Sequence, residues 1–235
     1  MKSVLAIILL TLSSLCAAAD RIMVMPAMEP YFSENGNARY QRLMQEILRR
    51  SGNNINIEYL PLAKSIQFFD QNKNACYPAA RKLAFGFLGH DVIDAGVAIN
   101  KIKIVIATPK SEPLVSSVDS LRNRSVAAIN GNVLGAYGIP VSNITIHYVN
   151  TYDQSVKLLE KGRVNAIVGS TAALMPYRDK LNFDVNNPVF SVDQGIVCHP
   201  GDESRAFLNS IRPAIQSMKA DGSLKSILGE YYLLD

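Results

Sequence analysis

Ser170 closes the stretch VNTYDQSVKLLEKGRVNAIVGS, which begins at Val149, and Thr171 stands directly behind it. Hydroxyls at the carboxyl end of a buried parallel strand face the place where open α/β sheets bind ligands. Gly169 would let the chain turn there. A serine or threonine at this point also caps a following helix, here TAALMPY, and the two roles are compatible. Asn130-Gly131-Asn132 follows an apolar strand, Ser125 to Ile129, and precedes a helical pattern. Its free N–H groups suit an anion, and the alternative is a plain strand-to-helix turn. NGNVLGAYG lacks the Lys-Ser/Thr ending of a nucleotide loop. Tyr31 and Phe32 are adjacent aromatics that either wall a ligand or pack under the fold, and Tyr77 is grouped with them as a ligand-binding candidate. Arg81 can grip a carboxylate with two parallel N–H bonds, or lie solvated on the surface.

Other chemistry finds no support. His90, His147 and His199 are far apart and have no i, i+4 or Cys-x-x-Cys companion, so no metal site is expected. GxSxG is absent. Cys198 and His199 are strand neighbours that point to opposite faces and cannot act as nucleophile and base. No catalytic residue and no cofactor is expected.

The elements that would carry these residues alternate. RIMVMPAMEPYF is a short apolar strand ended by Pro26 and followed by an aromatic loop. NARYQRLMQEILRRSG places Leu43, Met44, Ile47 and Leu48 on one helix face and stops at Gly52. INIEYL is a second strand, PLAKSIQFFDQNK a helix with Pro61 in its first turn, and NACYP a third strand closed by Pro78. In the opening stretch Thr151 and Gln154 form a capping-box pair, Tyr152, Val156 and Leu159 share a stripe, and Gly162 marks the stop before a strand from Val164 to Val168. Such βαβ units build parallel sheets. KSIQFFDQNK-NA (Lys64 to Ala75) and QSVKLLEKGRVNA (Gln154 to Ala166) match with a single-residue gap, either by chance or because the chain holds two lobes of similar build. KIKIVIATP (Lys101 to Pro109) and the short strand GIVCHPGDES cross between the copies, and RAFLNSIRPAIQSMKADGS is a closing helix. Two crossings suit a hinge.

Hydrophobic content of 48% and charged content of 19% over 235 residues describe a core-forming globular chain. A net charge of +4, scattered, does not point to nucleic acid. MKSVLAIILLTLSSLCAAAD reads as a signal peptide, residues 1–19, cut after Ala19; Leu15 before Cys16 disfavours a lipid anchor. The mature protein is then expected in the periplasm. Cys76 and Cys198 remain, as a disulfide or as two buried small hydrophobes.

In this order and spacing, MEPYF, VDSLRNRSVAAINGN, EKGRVNAIVGS and GIVCHPGDESRAFLNSIRPAIQSMKADGSLKSILGEYY resemble the periplasmic solute-binding proteins of bacterial family 3, the polar amino-acid type. The likeness covers nearly the whole mature chain. It implies an α/β, two-lobed type II periplasmic-binding fold, each lobe a mostly parallel sheet flanked by helices. Lobe 1 would span 20–106 and 193–235, and lobe 2 would span 107–192. Crossing segments near Lys101 to Lys110 and Phe190 to Ile196 would form the hinge. It further implies capture of an amino acid or related carboxylate for an ABC-type permease or a sensor, by a monomer, without bond-making. It would set Cys76 and Cys198 on neighbouring strands. The alternative is an enzyme on the same scaffold using Glu29 or Asp193, or a module that has lost its pocket. Two positions depart from the family: the arginine after Thr-Pro-Glu has its loose counterpart in Arg81 of YPAARKLAF, and the ligand-gripping carboxylate is replaced by Ser170.

Overall fold

A computed structural model describes residues 21–81, 91–131, 134–139 and 141–234. The expected signal peptide, Asn132 and His90 lie outside the described residues. The first half opens with β1 (Ile22–Pro26), which is almost entirely buried and pairs in parallel with both β2 (Asn56–Leu60) and β3 (Ala75–Ala80). Between them run α1 (Arg39–Ser51) and α2 (Leu62–Gln71). Gly52 ends α1 in a left-handed conformation, φ +69°, and its N–H closes on the last turn, which glycine does without a Cβ penalty.

The second half repeats this arrangement. β6 (Ser125–Ile129) pairs in parallel with both β7 (Thr145–Val149) and β8 (Ala166–Ser170), with α3 (Tyr152–Glu160) between β7 and β8. In each half the first strand of the trio lies in the middle, as β2-β1-β3 and as β7-β6-β8. The matched segments Lys64 to Ala75 and Gln154 to Ala166 fall on α2 with the start of β3, and on α3 with the start of β8. These are equivalent places in the two halves, so the repeat seen in the sequence is a repeat of structure.

Two long strands join the halves. β5 (Asn100–Pro109) pairs antiparallel with β8 through Ile104 to Ala107, and β10 (Phe190–Cys198) pairs antiparallel with β3 through Gln194 to Cys198. Their remaining portions pair with each other, Asn100 opposite Gln194 and Ile104 opposite Phe190. The hydrogen-bonded path β2-β1-β3-β10-β5-β8-β6-β7 is therefore continuous, yet its middle is only a two-stranded ribbon. Cores lie on either side of it. Met23, Met25, Leu43, Ile47, Ile211 and Ile215 pack in one, with α5 (Asp202–Ala220) and α6 (Ser223–Leu228) closing it. Val105, Ala127, Val156, Leu159, Ile167 and Leu174 pack in the other. This is the two-lobed α/β fold that the resemblance implied.

The structure departs from the sequence expectations in places. β3 continues through Pro78 to Ala80, because beyond Cys76 it has lost β1 as a partner and a proline is tolerated where one flank is unpaired. β8 starts at Ala166 rather than Val164. Asn165 holds Ser125 on both sides, its N–H donating to the Ser125 carbonyl at 2.7 Å and its Oδ1 accepting from the Ser125 N–H at 2.9 Å, so pairing begins after it. β10 is nine residues long rather than a short strand from Gly195, and β4 (Ile93–Asp94) and β9 (Leu181–Asn182) are two-residue additions. The helix expected after Asn130-Gly131-Asn132 is one 3-10 turn, Leu134–Tyr137. The capping box is shifted as well: Thr151 Oγ1 accepts from the Gln154 N–H at 3.3 Å, but Gln154 Oε1 accepts from the N–H of Asn150 at 2.9 Å.

Cys76 and Cys198 are directly opposed on β3 and β10, and they form a disulfide with Cα atoms 4.2 Å apart. His199 turns the other way, stacks on Phe69 at 4.4 Å, and sets Nε2 2.7 Å from the Phe69 carbonyl.

Candidate functional site

The ribbon carries two amides that face each other. Asn100 and Gln194 are paired across β5 and β10, and both are fully buried. Asn100 Nδ2 donates to Tyr40 Oη at 2.6 Å and to the Tyr231 carbonyl at 2.7 Å, while its Oδ1 accepts from the Leu233 N–H at 2.8 Å. Every polar atom of that side chain is in use. Gln194 differs: Nε2 donates to Tyr31 Oη at 3.2 Å, and Oε1 has no hydrogen-bond partner. Buried polar groups are ordinarily paired, so an open amide end at the junction of two lobes calls for an explanation.

Tyr31 reaches Gln194 because the chain after β1 turns back on itself. The Tyr31 and Phe32 N–H groups both donate to the Met28 carbonyl, at 2.7 and 2.9 Å. The Tyr31 ring then lies 4.5 Å from that of Tyr40. Around it stand further phenols. Burial pushes the Tyr31 hydroxyl up to about 12 against the opposing hydrogen bond from Gln194, with Tyr152 adding to the rise. Burial raises Tyr137 to about 12, helped by Tyr152 and Tyr31. Tyr77 rises further through burial, against a hydrogen bond from Ser65, with Tyr31 and Tyr137 contributing. Tyr31 and Tyr77 belong to the first half of the sheet, and Tyr137 and Tyr152 to the second. Burial thus keeps Tyr31, Tyr77 and Tyr137 neutral at physiological pH, and Tyr31 acts on Tyr137 across the junction.

Gly169 has a role other than the expected turn. It lies inside β8, and a Cβ there would come within 2.7 Å of Tyr152 Cε1 and Oη. The glycine makes room for the phenol. Ser170 takes the capping role, with Oγ accepting from the Ala173 N–H at 3.4 Å at the start of α4 (Thr171–Leu174). Thr171 is buried, and its hydroxyl has no hydrogen-bond partner.

Arg81 is held by a carboxylate of the protein itself. Its Nε and Nη2 meet Asp94 Oδ2 and Oδ1 at 3.0 and 3.1 Å, a two-bond fork, and Asp193 lies 4.0 Å from Nη1. Gly195 gives its stem passage, since a Cβ there would stand 2.8 Å from Arg81 Cδ and Cγ. Glu29 is exposed, and partial desolvation raises its carboxyl pKa. Among the described residues no group of His, Cys, Asp or Glu could hold a metal ion.

Asn130 is tied down, its N–H donating to the Val149 carbonyl at 2.8 Å and its Nδ2 to Asn150 Oδ1 at 2.7 Å. Gly131, at φ +93°, lies where the lobes touch: a Cβ there would be 3.0 Å from the backbone of Ala63 on α2. A turn as short as Leu134–Tyr137 offers no helix N-terminus for an anion. Met28 and Leu62 of the first half pack on the core of the second, and Arg178 meets Glu230 at 2.5 Å. The two halves therefore touch at these points. Phe32 packs against Tyr59 of β2, the two rings tilted with centroids 4.7 Å apart.

Of the predicted residues, the structure groups Tyr31 with Tyr77 and brings Gly131 against α2. It commits Ser170 and Arg81 to partners within the protein. Sequence reasoning missed Gln194, Tyr137 and the position of Tyr152, which it read only as part of a helix stripe. The available signal was Gln194 standing directly before the apolar run GIVC.

No family model matches the chain, and no curated protein does either. Solved structures do match in fold. The ligand-binding core of GluR0 from Nostoc punctiforme in complex with L-glutamate aligns with TM-score 0.70 at 17% identity, over 90% of this chain and 99% of that one. A putative L-cystine ABC transporter structure from Listeria monocytogenes gives 0.71 at 15%, over 92% and 96%. An arginine transport-system periplasmic binding protein from Legionella pneumophila gives 0.66 at 16%, over 91% and 99%. The fold is that of the type II periplasmic solute-binding proteins.

Proposed function

We propose that this chain is an exported solute-binding protein that captures a small polar molecule between its two lobes and changes no bond in it. The observation that carries this reading is the open-ended Gln194 amide in the joining ribbon, bonded to Tyr31 of one lobe, with Tyr137 of the other lobe close enough to interact with that phenol. Lobe 1 comprises 20–106 and 193–235, lobe 2 comprises 107–192, and β5 and β10 flex between them. In two strands without other neighbours, small changes of φ and ψ swing whole lobes. The solved structures of like fold supply the class of solute, amino acids or related small polar molecules. The partner in this reading is an ABC-type permease in the inner membrane or a sensor that reads the closed form, a class suggested by the ABC transporters named for two structures of like fold. The protein works as a monomer in the periplasm.

Melting the purified protein in the presence of amino acids, carboxylates, amines and neutral amides tests this reading. A solute that binds the native state alone must raise the melting temperature, by about 2.7 kcal/mol of stability at a hundredfold excess over Kd. Stabilisation by at least one compound is expected. A flat response to the whole panel refutes capture.

A further inference from the structure

We infer that the solute is an uncharged molecule bearing a carboxamide-like group, and that Gln194 is the residue that selects it. The inference rests on the solute-binding reading and narrows it. Three observations carry it. First, the side chain that could grip a carboxylate is occupied: Arg81 is forked to Asp94, with Asp193 on its other side. A carboxylate entering the site would reach only the Nη1 side of Arg81, which Asp193 already faces at 4.0 Å. Second, Ser170 stands where the family resemblance calls for an anion against the ligand ammonium, and its hydroxyl is spent on the Ala173 N–H. A ligand ammonium beside Ser170 would meet a hydroxyl already accepting from the Ala173 N–H instead of a carboxylate, and burying it there is disfavoured.

Third, the junction holds a buried amide with one end open. Gln194 is fully buried, bound to Tyr31 through one end and unpartnered at the other. Turning the amide over exchanges oxygen for nitrogen but leaves the count unchanged, one end bound and one end open. A carboxamide, which donates and accepts side by side, answers either orientation. The rings of Tyr31, Tyr77, Tyr137 and Tyr152 come from both lobes, which suits a flat solute.

Calorimetric titration of the full chain with nicotinamide, benzamide and uracil, and in parallel with L-glutamine, L-arginine and L-glutamate, tests the inference. Two variants are titrated beside the wild type. Gln194→Leu removes the amide, and the Arg81→Met, Asp94→Leu double variant removes both members of the ion pair, the substitution least apt to strand a buried charge. At least one flat amide is expected to bind. Its affinity should fall about tenfold or more in Gln194→Leu and change by less than about threefold in the double variant. If near-UV circular dichroism finds Gln194→Leu unfolded, Gln194→Glu, of the same shape, takes its place with the same expected loss. Binding of an amino acid that is abolished in the double variant overturns the inference and leaves solute capture standing. Binding by none of the three amides overturns the inference too, and the broader melting screen then decides separately on solute capture. Equal amide affinity in Gln194→Leu and wild type removes Gln194 from the site.

Discussion

Replacing Asn100 by leucine tests whether the base of the ribbon is held by its buried amide. The side chain volume is nearly kept, so packing changes little, but three hydrogen bonds go at once: those to Tyr40 Oη, the Tyr231 carbonyl and the Leu233 N–H. Tyr40 is fully buried and cannot turn its hydroxyl to water, so it bears the whole cost of an unpaired group, about 1–3 kcal/mol. Tyr231 and Leu233 lie in the half-buried tail, where water partly replaces the lost partner. Together the loss comes to about 3–4 kcal/mol. At about 2.1 cal/mol/K of unfolding entropy per residue, a chain of this size loses roughly 2 °C per kcal/mol, hence about 6–9 °C in Tm. Circular dichroism melts measure this. Hydrogen exchange at the Leu233 amide gives an independent local reading, because that N–H donates to Asn100 Oδ1 and should lose protection first. A Tm within about 2 °C of wild type, with unchanged exchange at Leu233, refutes the amide's structural role.

Removing the disulfide as the Cys76→Ala, Cys198→Ala pair opens a loop of 122 residues, for which the chain-entropy relation gives about 5 kcal/mol; denaturant unfolding should find a large part of it. Gly169→Ala sets a methyl within 2.7 Å of the Tyr152 ring and should cost about 1–3 kcal/mol, restored when Tyr152→Leu is added, as paired melts would reveal. Hydrogen bonds from Arg49 and Arg50 depress the Glu46 carboxyl to about 2. A carboxylate lowered in the folded state adds stability above its unfolded value near 4.3, and that stability is lost as pH falls toward 2. Glu46→Gln should therefore lower the neutral plateau slightly and flatten the fall in that acid window, an effect kept small by surrounding water.

Local rules made much of the fold readable. Gly52 and Gly162, the apolar stripe Leu43, Met44, Ile47 and Leu48, and the runs that became β1, β2, β5 and β6 were visible because each depends on a few adjacent residues. The repeat was visible because equivalent βαβ units need the same alternation of stripe and strand. What escaped depends on residues far apart in the chain. Arg81 offers a carboxylate grip until Asp94, on a two-residue strand with no sequence signature, closes the fork. Ser170 could serve as cap or ligand until the Ala173 N–H takes it. Tyr152 satisfies the periodicity of a core stripe while its ring also faces Gly169 and the junction. Gln194 lies in a strand run whose paired register alone sets it opposite Asn100. The extension of β3 past Pro78 likewise turns on where β1 stops.

The central claim is that two lobes open and close about β5 and β10. Two spin labels, carried by unnatural amino acids at the exposed positions Glu58 on β2 and Tyr148 on β7, report the distance between the lobes by pulsed dipolar spectroscopy. The decisive comparison is between the wild type and Gly131→Trp, whose added ring must enter the contact with Ala63, where even a Cβ stands 3.0 Å from backbone. The account predicts a longer distance in the wedged variant, with both cores still folded. A distance distribution identical in the two proteins would contradict it.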